Sequence, residues 1–140
     1  PSSVTDLGIA AFAGAKSLIS VFIPNNIKSI ESTFRFATGL KEVIFERGSE
    51  LESIGQSSFA GTHSLATIMI PNSVTIIGEF AFAGICSLQS VIIPKSVINI
   101  ERYAFYEASN LKIYAEATSE PDGWDSTWNP NFMPIVWGYQ

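Results

Sequence analysis

Few residues of this 140-residue sequence have types and spacings that could perform chemistry. The only His–Ser neighbours are His63 and Ser64, and adjacent residues on an extended chain point to opposite sides. No Gly-x-Ser-x-Gly motif is present to expose a nucleophilic serine. His63 is the only histidine and Cys86 the only cysteine, whereas a structural zinc ion usually takes four ligands. The sequence therefore predicts no catalytic residue and no metal site.

The carboxylates do not form a reactive pair either. Glu42 and Glu46 would face the same side of an extended strand at a separation of roughly 13 Å. The two carboxyl groups of a glycosidase stand about 5–9.5 Å apart, so this pair is too widely spaced. Four further acids lack the spacing of a calcium-binding loop and are interpreted as a solvated rim: Glu116, Glu120, Asp122 and Asp125. No glycine-rich phosphate loop is present, and no cofactor is expected.

Charge and composition exclude two further classes of protein. Residues 1–114 carry 8 basic and 9 acidic groups, whereas residues 115–140 carry four acids and no Lys or Arg. Nucleic acid needs a basic surface, which is lacking here. Apolar residues make up 46% of the chain, enough for a core, but no uninterrupted apolar run reaches the roughly 18 residues of a membrane helix. No nucleic-acid partner and no transmembrane segment are expected.

The elements that would position these residues repeat along the chain. Five phenylalanines step by 22, 25, 23 and 23 residues: Phe12, Phe34, Phe59, Phe82 and Phe105. A leucine follows each of them six residues later: Leu18, Leu40, Leu65, Leu88 and Leu111. A fixed period of this size predicts a solenoid, in which each unit buries its apolar side by stacking on its neighbours. Such a molecule offers a long surface to a partner rather than a closed pocket.

Each unit contains one segment with the alternation of a strand, Leu-x-x-Val-x-Ile. Five parallel strands should begin near the five leucines and form one curved sheet, with a flat three-faced β-helix as the competing solenoid. Proline ends three of these strands because it lacks the N–H that a ladder needs: Pro24, Pro71 and Pro94. The second unit replaces that turn with residues 45–51, which are two residues longer.

Residues 77–82, Ile-Gly-Glu-Phe-Ala-Phe, and residues 88–94, Leu-Gln-Ser-Val-Ile-Ile-Pro, resemble the BspA-type leucine-rich repeat family of bacterial and protist surface proteins. The resemblance recurs five times and covers residues 1 to about 116. It implies units of about 23 residues, a parallel sheet on the concave face, and short strands and turns on the convex face. The chain departs from the family at its Cys position, and Cys86 stands one residue later, where it should point outward.

The domain organisation follows from the repeat. Residues 1–114 are predicted to form the array, a truncated first unit plus five units, and the sequence starts in the middle of a repeat, as expected for part of a longer array. Residues 115–140 hold all three tryptophans and are predicted to cap the final Phe105 layer. Trp124 and Trp128 stand four apart, so one helical turn would place them side by side. Their rings either pack onto the last repeat or stack on a sugar.

A binding face is predicted on the concave sheet, where one residue of each strand points away from the core. These residues form an apolar stripe roughly 19 Å long at a strand spacing of about 4.8 Å: Phe22, Ile44, Met69, Ile92 and, continuing the row, Tyr114. Polar residues flank the stripe on the same face, among them Ser20, Glu42, Thr67 and Ser90. Exposed apolar patches of this continuity usually mark interaction sites. The alternative is that aromatic and β-branched residues simply favour strands.

These features favour a non-enzymatic protein-binding module. The family resemblance implies a secreted or cell-surface protein that adheres to host or neighbouring-cell proteins. The alternative is a structural spacer or self-assembly module that presents another domain, with the stripe covered by a second copy. Residues 17–23 would form an unpaired strand edge, through which self-association is expected.

Overall fold

The computed structural model describes residues 3–140 and consists of short strands joined by turns. Within these residues no helix is long and apolar enough to cross a membrane. Ten strands follow one another along the chain: β1 Ser20–Ile23, β2 Ser29–Ile30, β3 Glu42–Phe45, β4 Ser53–Ile54, β5 Thr67–Ile68, β6 Ile76–Ile77, β7 Ser90–Ile93, β8 Asn99–Ile100, β9 Lys112–Ala115 and β10 Ile135–Trp137.

Each turn of the solenoid contributes one concave strand and one short convex strand. The convex strands pair in parallel in the order β2-β4-β6-β8. Their inward residues align across the turns, with Ile30 opposite Ile54 and Ile77 opposite Ile100. The predicted leucine-rich repeat solenoid, with its parallel concave strands and short convex strands, is therefore confirmed. The first five concave strands begin one or two residues after the repeated leucines, which themselves lie in the preceding turns.

The concave face differs from the prediction in one respect. Its strands form two three-stranded parallel sheets, β1-β3-β5 and β7-β9-β10, rather than one continuous sheet. The expectation of a single sheet is wrong at the boundary between β5 and β7, which we call the seam. β3 and β5 share only two residue pairs, whereas β1 with β3 and β7 with β9 share four each.

The residue after each concave strand contributes to the seam. Glu46, which follows β3, donates its N–H to the carbonyl of Ile23 at 2.9 Å. Glu116 closes the ladder between β9 and β7 in the same way, at 3.1 Å. Pro71 and Pro94 occupy the equivalent positions after β5 and β7 and have no N–H to donate. The short pairing of β3 with β5 therefore lacks its closing hydrogen bond, and the same bond is missing between β5 and β7, whereas in the sequence each proline was interpreted only as the end of its own strand.

The core is a continuous column of phenylalanine rings. Phe12, Phe34, Phe59, Phe82 and Phe105 stack with centroids 5.2–5.7 Å apart and planes within 16° of parallel. The last four rings are fully buried, and Phe12 at the N-terminal end of the column is partly exposed. The column crosses the seam between Phe59 and Phe82 without interruption, and the N–H groups of Ser57, Phe59 and Gly61 donate to carbonyls of the next turn at 2.8–2.9 Å. Side-chain packing, these hydrogen bonds and the convex sheet therefore hold the two halves together.

The turns beside this column use left-handed backbone. Positive φ angles recur two residues before and two residues after each phenylalanine, and the second set is Gly14, Phe36, Gly61, Gly84 and Glu107. Glycine adopts this conformation without a Cβ clash, which accounts for the repeated Phe-Ala-Gly segments. At Gly61 there is a second reason, because an added Cβ would meet the ring of Phe36 from the preceding turn.

The tail, residues 115–140, adds a sixth turn to the solenoid. β10 pairs in parallel with β9, with Val136 opposite Tyr114, and Trp124 forms a bridge to Ile100 at the end of the convex sheet. The helical turn expected for Trp124 and Trp128 is absent, and their segment consists of turns. The two indoles nevertheless lie side by side, with centroids 4.8 Å apart. β10 has no Leu-x-x-Val pattern, which is why the sequence did not predict it.

Candidate functional site

The predicted apolar stripe lies in register on the concave face. Phe22 stands opposite Ile44 in β1 and β3, and Ile92 stands opposite Tyr114 in β7 and β9. Met69, directly after β5, occupies the middle of the row at the seam and is 83% exposed. The other three apolar residues are also exposed, and Tyr114 is half-buried. The alternation of the strands turns these five side chains away from the core, as the sequence predicts.

A row of mainly polar residues borders the stripe. Ser20 is opposite Glu42, which is opposite Thr67, and Ser90 begins the second concave sheet. All four are exposed. Glu42 and Thr67, two of the predicted flanking residues, therefore lie side by side next to Met69.

The structure extends the face at its C-terminal end. Lys112 continues the polar row opposite Ser90, and its ammonium lies 5.2 Å from the centre of the Tyr114 ring. The Tyr139 ring contacts the same tyrosine, with centroids 4.9 Å apart. Sequence reasoning missed Lys112 because the fifth unit is one residue short there, and missed Tyr139 because the tail carries no repeat signature. Val136 opposite Tyr114 continues the row, a position that only the strand pairing reveals.

A groove of about 820 Å³ opens beside Met69. Its floor and walls come from β3, from β5 and from the turns that follow them, residues 46–49 and 69–73. The first of these turns is the longer connection that replaces a proline turn in the second unit. The groove therefore arises where this unit departs from the repeat.

The wall of the groove is held in place by the preceding turn. The Glu46 carboxylate accepts a hydrogen bond of 2.8 Å from the backbone N–H of Asn25. The carbonyl of Asn25 in turn accepts from the N–H of Glu50 at 2.7 Å, and the Glu50 carboxylate pairs with Lys28 at 2.6 Å. This hydrogen bonding gives Glu46 a structural role and fixes both ends of the longer turn.

Trp124 and Trp128, the secondary candidate for binding, are only 5% and 2% exposed. The Trp124 indole N–H donates to the carbonyl of Val97 at 3.2 Å, and Trp128 packs edge-on against Phe105 with centroids 5.8 Å apart. Neither ring offers a free face to a sugar, so the stacking interpretation is corrected. The pair packs onto the last repeat because the end of the phenylalanine column would otherwise be exposed to water.

The turn between these tryptophans contains Asp125, whose pKa is lowered by local hydrogen bonds. Asp125 Oδ1 accepts from both the hydroxyl and the backbone N–H of Thr127, at 2.6 and 2.8 Å. These hydrogen bonds favour the ionised form and lower the pKa of Asp125 below its ordinary value of about 3.8. The interaction closes a local turn and supplies no catalytic group.

The remaining reactive residues are isolated on the surface. His63 and Cys86 are both exposed, and the Ser87 hydroxyl donates to the carbonyl of His63 at 2.6 Å. Within residues 3–140 no three His, Cys, Asp or Glu side chains are grouped so as to hold a metal ion.

Solved structures of similar fold come from bacterial leucine-rich repeat proteins. A T. pallidum leucine-rich repeat protein superposes with a TM-score of 0.77 at 30% identity, over 81% of this chain and 56% of that one. A Bacteroides ovatus leucine-rich repeat protein superposes with a TM-score of 0.73 at 28% identity, over 87% of this chain and 30% of that one. A leucine-rich cell surface protein of Faecalibacterium prausnitzii superposes with a TM-score of 0.61 at 29% identity, over 88% of this chain and 40% of that one. The chain thus spans about a third to a little over half of each of these proteins.

Comparison with curated proteins finds no match. The family described as "BspA type Leucine rich repeat region (6 copies)" matches residues 1–112, which is most of the chain. Sequence match, period, strand pairing and fold agree, and the chain belongs to the BspA-type leucine-rich repeat family.

Proposed function

We propose that this chain is a non-enzymatic protein-binding module of a secreted or cell-surface protein, and that it binds through its concave face in an adhesive role. The observation that carries this proposal is the exposed apolar row Phe22, Ile44, Met69 and Ile92, continued by Tyr114. Side chains of this size on a water-facing sheet bury substantial area when a partner covers them. The cell-surface description of the F. prausnitzii protein supports the location.

A paired substitution tests the proposal. Met69→Ser with Ile92→Ser removes two apolar anchors that point away from the core, so the melting temperature should remain close to that of the wild type. A matched control is Ile98→Ser, since Ile98 is an exposed apolar residue directly before the convex strand β8.

The probe is a displayed library of extracellular protein domains, selected on the wild-type chain. The best selected domain should bind the double variant at least tenfold more weakly, because a few apolar anchors normally dominate an interface, and it should bind the Ile98→Ser variant unchanged. Full binding by a double variant that melts like the wild type would remove the concave stripe from the proposal.

The alternative is a spacer or self-assembly module, and one observation supports it. β1 pairs with β3 on one side only among residues 3–140, and large apolar side chains nearby are exposed, including Ile9 and Ile19. Self-association through this N-terminal edge predicts a concentration-dependent dimer in sedimentation equilibrium. Monomeric behaviour up to high concentration would exclude self-association through this edge. A dimer that is abolished by Met69→Ser would instead place the contact on the concave stripe.

A further inference from the structure

The groove beside Met69 has charged residues of opposite sign near its two ends. Glu42 lies at the start of β3, and Arg47 lies in the turn that follows the same strand. Both side chains are exposed, and among the described residues neither forms an ion pair. The Glu46 carboxylate, the acid next to Arg47 in sequence, is directed instead at the backbone N–H of Asn25. The groove therefore presents one available negative charge and one available positive charge.

The floor between these charges is apolar. Ile44 projects from the middle of β3, and Met69 projects beside it from the next turn of the solenoid. The Glu42 and Glu46 positions are four strand residues apart, which corresponds to roughly 13 Å. Arg47 is one residue further on, and its long side chain extends the reach.

An extended polypeptide matches this geometry better than a compact ligand. Its side chains alternate between two faces at about 3.3 Å per residue, so every second one would point to the floor. Two charged residues four positions apart, on the same face, would then reach Glu42 and Arg47 while the apolar residue between them covers Ile44 and Met69. Charge complementarity of this kind fixes the register of a bound segment and raises the rate of association.

Resting on the proposed function, we propose that the groove binds an extended protein segment that carries a Lys or Arg, an apolar stretch, and an Asp or Glu four residues away. Glu42 recognises the cation, Arg47 recognises the carboxylate, and Ile44 and Met69 receive the apolar side chains. The long turn of the second unit creates the specificity, because it brings Arg47 to the groove. The equivalent residues after Pro24 and Pro71 are Asn25 and Asn72, and the equivalent cation after Pro94, Lys95, does not line the groove.

A random 12-residue peptide display library, selected on the folded chain, tests this assignment. Wild-type protein should enrich peptides with one basic and one acidic residue at the stated spacing around apolar positions. Glu42→Lys should enrich peptides with two acidic residues, and Arg47→Glu should enrich peptides with two basic residues. Only one charge is reversed at a time. If both charges were exchanged, the same peptide could bind in the opposite direction and the enriched pattern would not change.

Matched controls reverse charge elsewhere. Glu120→Lys and Lys16→Glu alter exposed residues outside the groove by the same amounts and should leave the enriched pattern unchanged. A synthetic peptide from the wild-type selection should lose about tenfold or more in affinity on either groove reversal, with less difference at high salt because ions screen exposed charges.

The outcomes separate this proposal from the broader one. Enriched peptides that require Met69 but lack the paired charges would overturn the charge assignment and leave the concave stripe as the binding face. Peptides whose binding survives both Met69→Ser and the reversals would overturn both proposals. Failure to enrich any peptide would overturn the extended-segment assignment, while a folded domain selected separately could still test the stripe.

Discussion

At the scale of single residues, Gly61 shows how the repeat constrains a position through its neighbour. Its φ angle is +70°, and an added Cβ would meet the Phe36 ring of the preceding turn. Gly84, one turn later, has φ +69°, and a Cβ added there would make only ordinary van der Waals contact, with the nearest atom 3.8 Å away. Two glycines with the same backbone therefore differ only in what lies beside them.

This difference predicts a measurable coupling. Gly84→Ala should cost about 1–2 kcal/mol, since an L-residue is disfavoured in left-handed backbone, and Gly61→Ala should cost more because the Phe36 ring must move. The excess should disappear when Gly61→Ala is made on a Phe36→Ala background, which a double-mutant cycle in urea unfolding measures. Equal costs for the two alanine substitutions, with no coupling to Phe36, would show that the ring yields freely.

At the scale of elements, the residue that follows each concave strand contributes to how far two strands pair. Glutamate at this position donates an N–H to the previous turn and places its carboxylate on a neighbouring backbone N–H, as Glu46 does to Asn25 and Glu116 does to Lys95 at 2.8 Å. Proline at the same position does neither. Two successive prolines, Pro71 and Pro94, coincide with the short pairing of β3 with β5 and with the seam.

Pro94→Glu should therefore strengthen the seam. The new N–H can donate to the carbonyl of Ile70, and a backbone hydrogen bond contributes about 0.5–1.5 kcal/mol. Removing proline also loosens the unfolded chain and costs about 0.4–1 kcal/mol. Pro24→Glu is the matched control, because it carries the same cost and no described strand precedes β1 to accept the new bond.

We expect the Pro94 variant to be about 1 kcal/mol more stable than the Pro24 variant, with slow hydrogen exchange at the amide of position 94. Rapid exchange at that amide, together with equal stabilities of the two variants, would contradict the role assigned to proline at the seam.

At the scale of the whole molecule, stability passes from turn to turn along the phenylalanine column. Repeat arrays behave approximately as chains of units coupled to their nearest neighbours. The seam removes backbone pairing on the concave face. Coupling there depends on the stacked rings of Phe59 and Phe82, 5.5 Å apart, on the backbone hydrogen bonds between the turns that carry them, and on the continuous convex sheet. All three tryptophans lie in the tail, so their fluorescence reports only the C-terminal end.

Phe82→Ala should uncouple the two halves. The substitution empties a buried ring site beside the seam and should cost about 3–5 kcal/mol. In the wild type, tryptophan fluorescence and far-ultraviolet circular dichroism should report one urea transition, whereas in the variant the two transitions should separate. Phe132→Ala is the control, because that ring is 90% exposed and its loss should leave both curves almost unchanged. Coincident transitions in the Phe82 variant would show that the backbone hydrogen bonds between turns preserve cooperativity without the stacked ring.

The sequence by itself determined the period, the core and the direction of each strand side chain. The spacing of the five phenylalanines predicts the column of rings, because identical units can bury identical residues only by stacking them. The alternation of each strand places Phe22, Ile44, Met69 and Ile92 outward, since successive side chains in a strand point to opposite faces. These inferences depend on local geometry and repetition, which one chain displays without further information.

Only the tertiary structure decided what depends on contacts between turns. At the seam, Pro94 has no N–H to donate to the carbonyl of Ile70 in the turn before, and this loss depends on how the two turns align. The tail pairs as β10, and it buries Trp124 and Trp128 because the last Phe105 layer needs cover, although their spacing alone permitted an exposed pair. The groove between Glu42 and Arg47 likewise forms where a longer turn stands against the next unit, and no single segment of sequence specifies that juxtaposition.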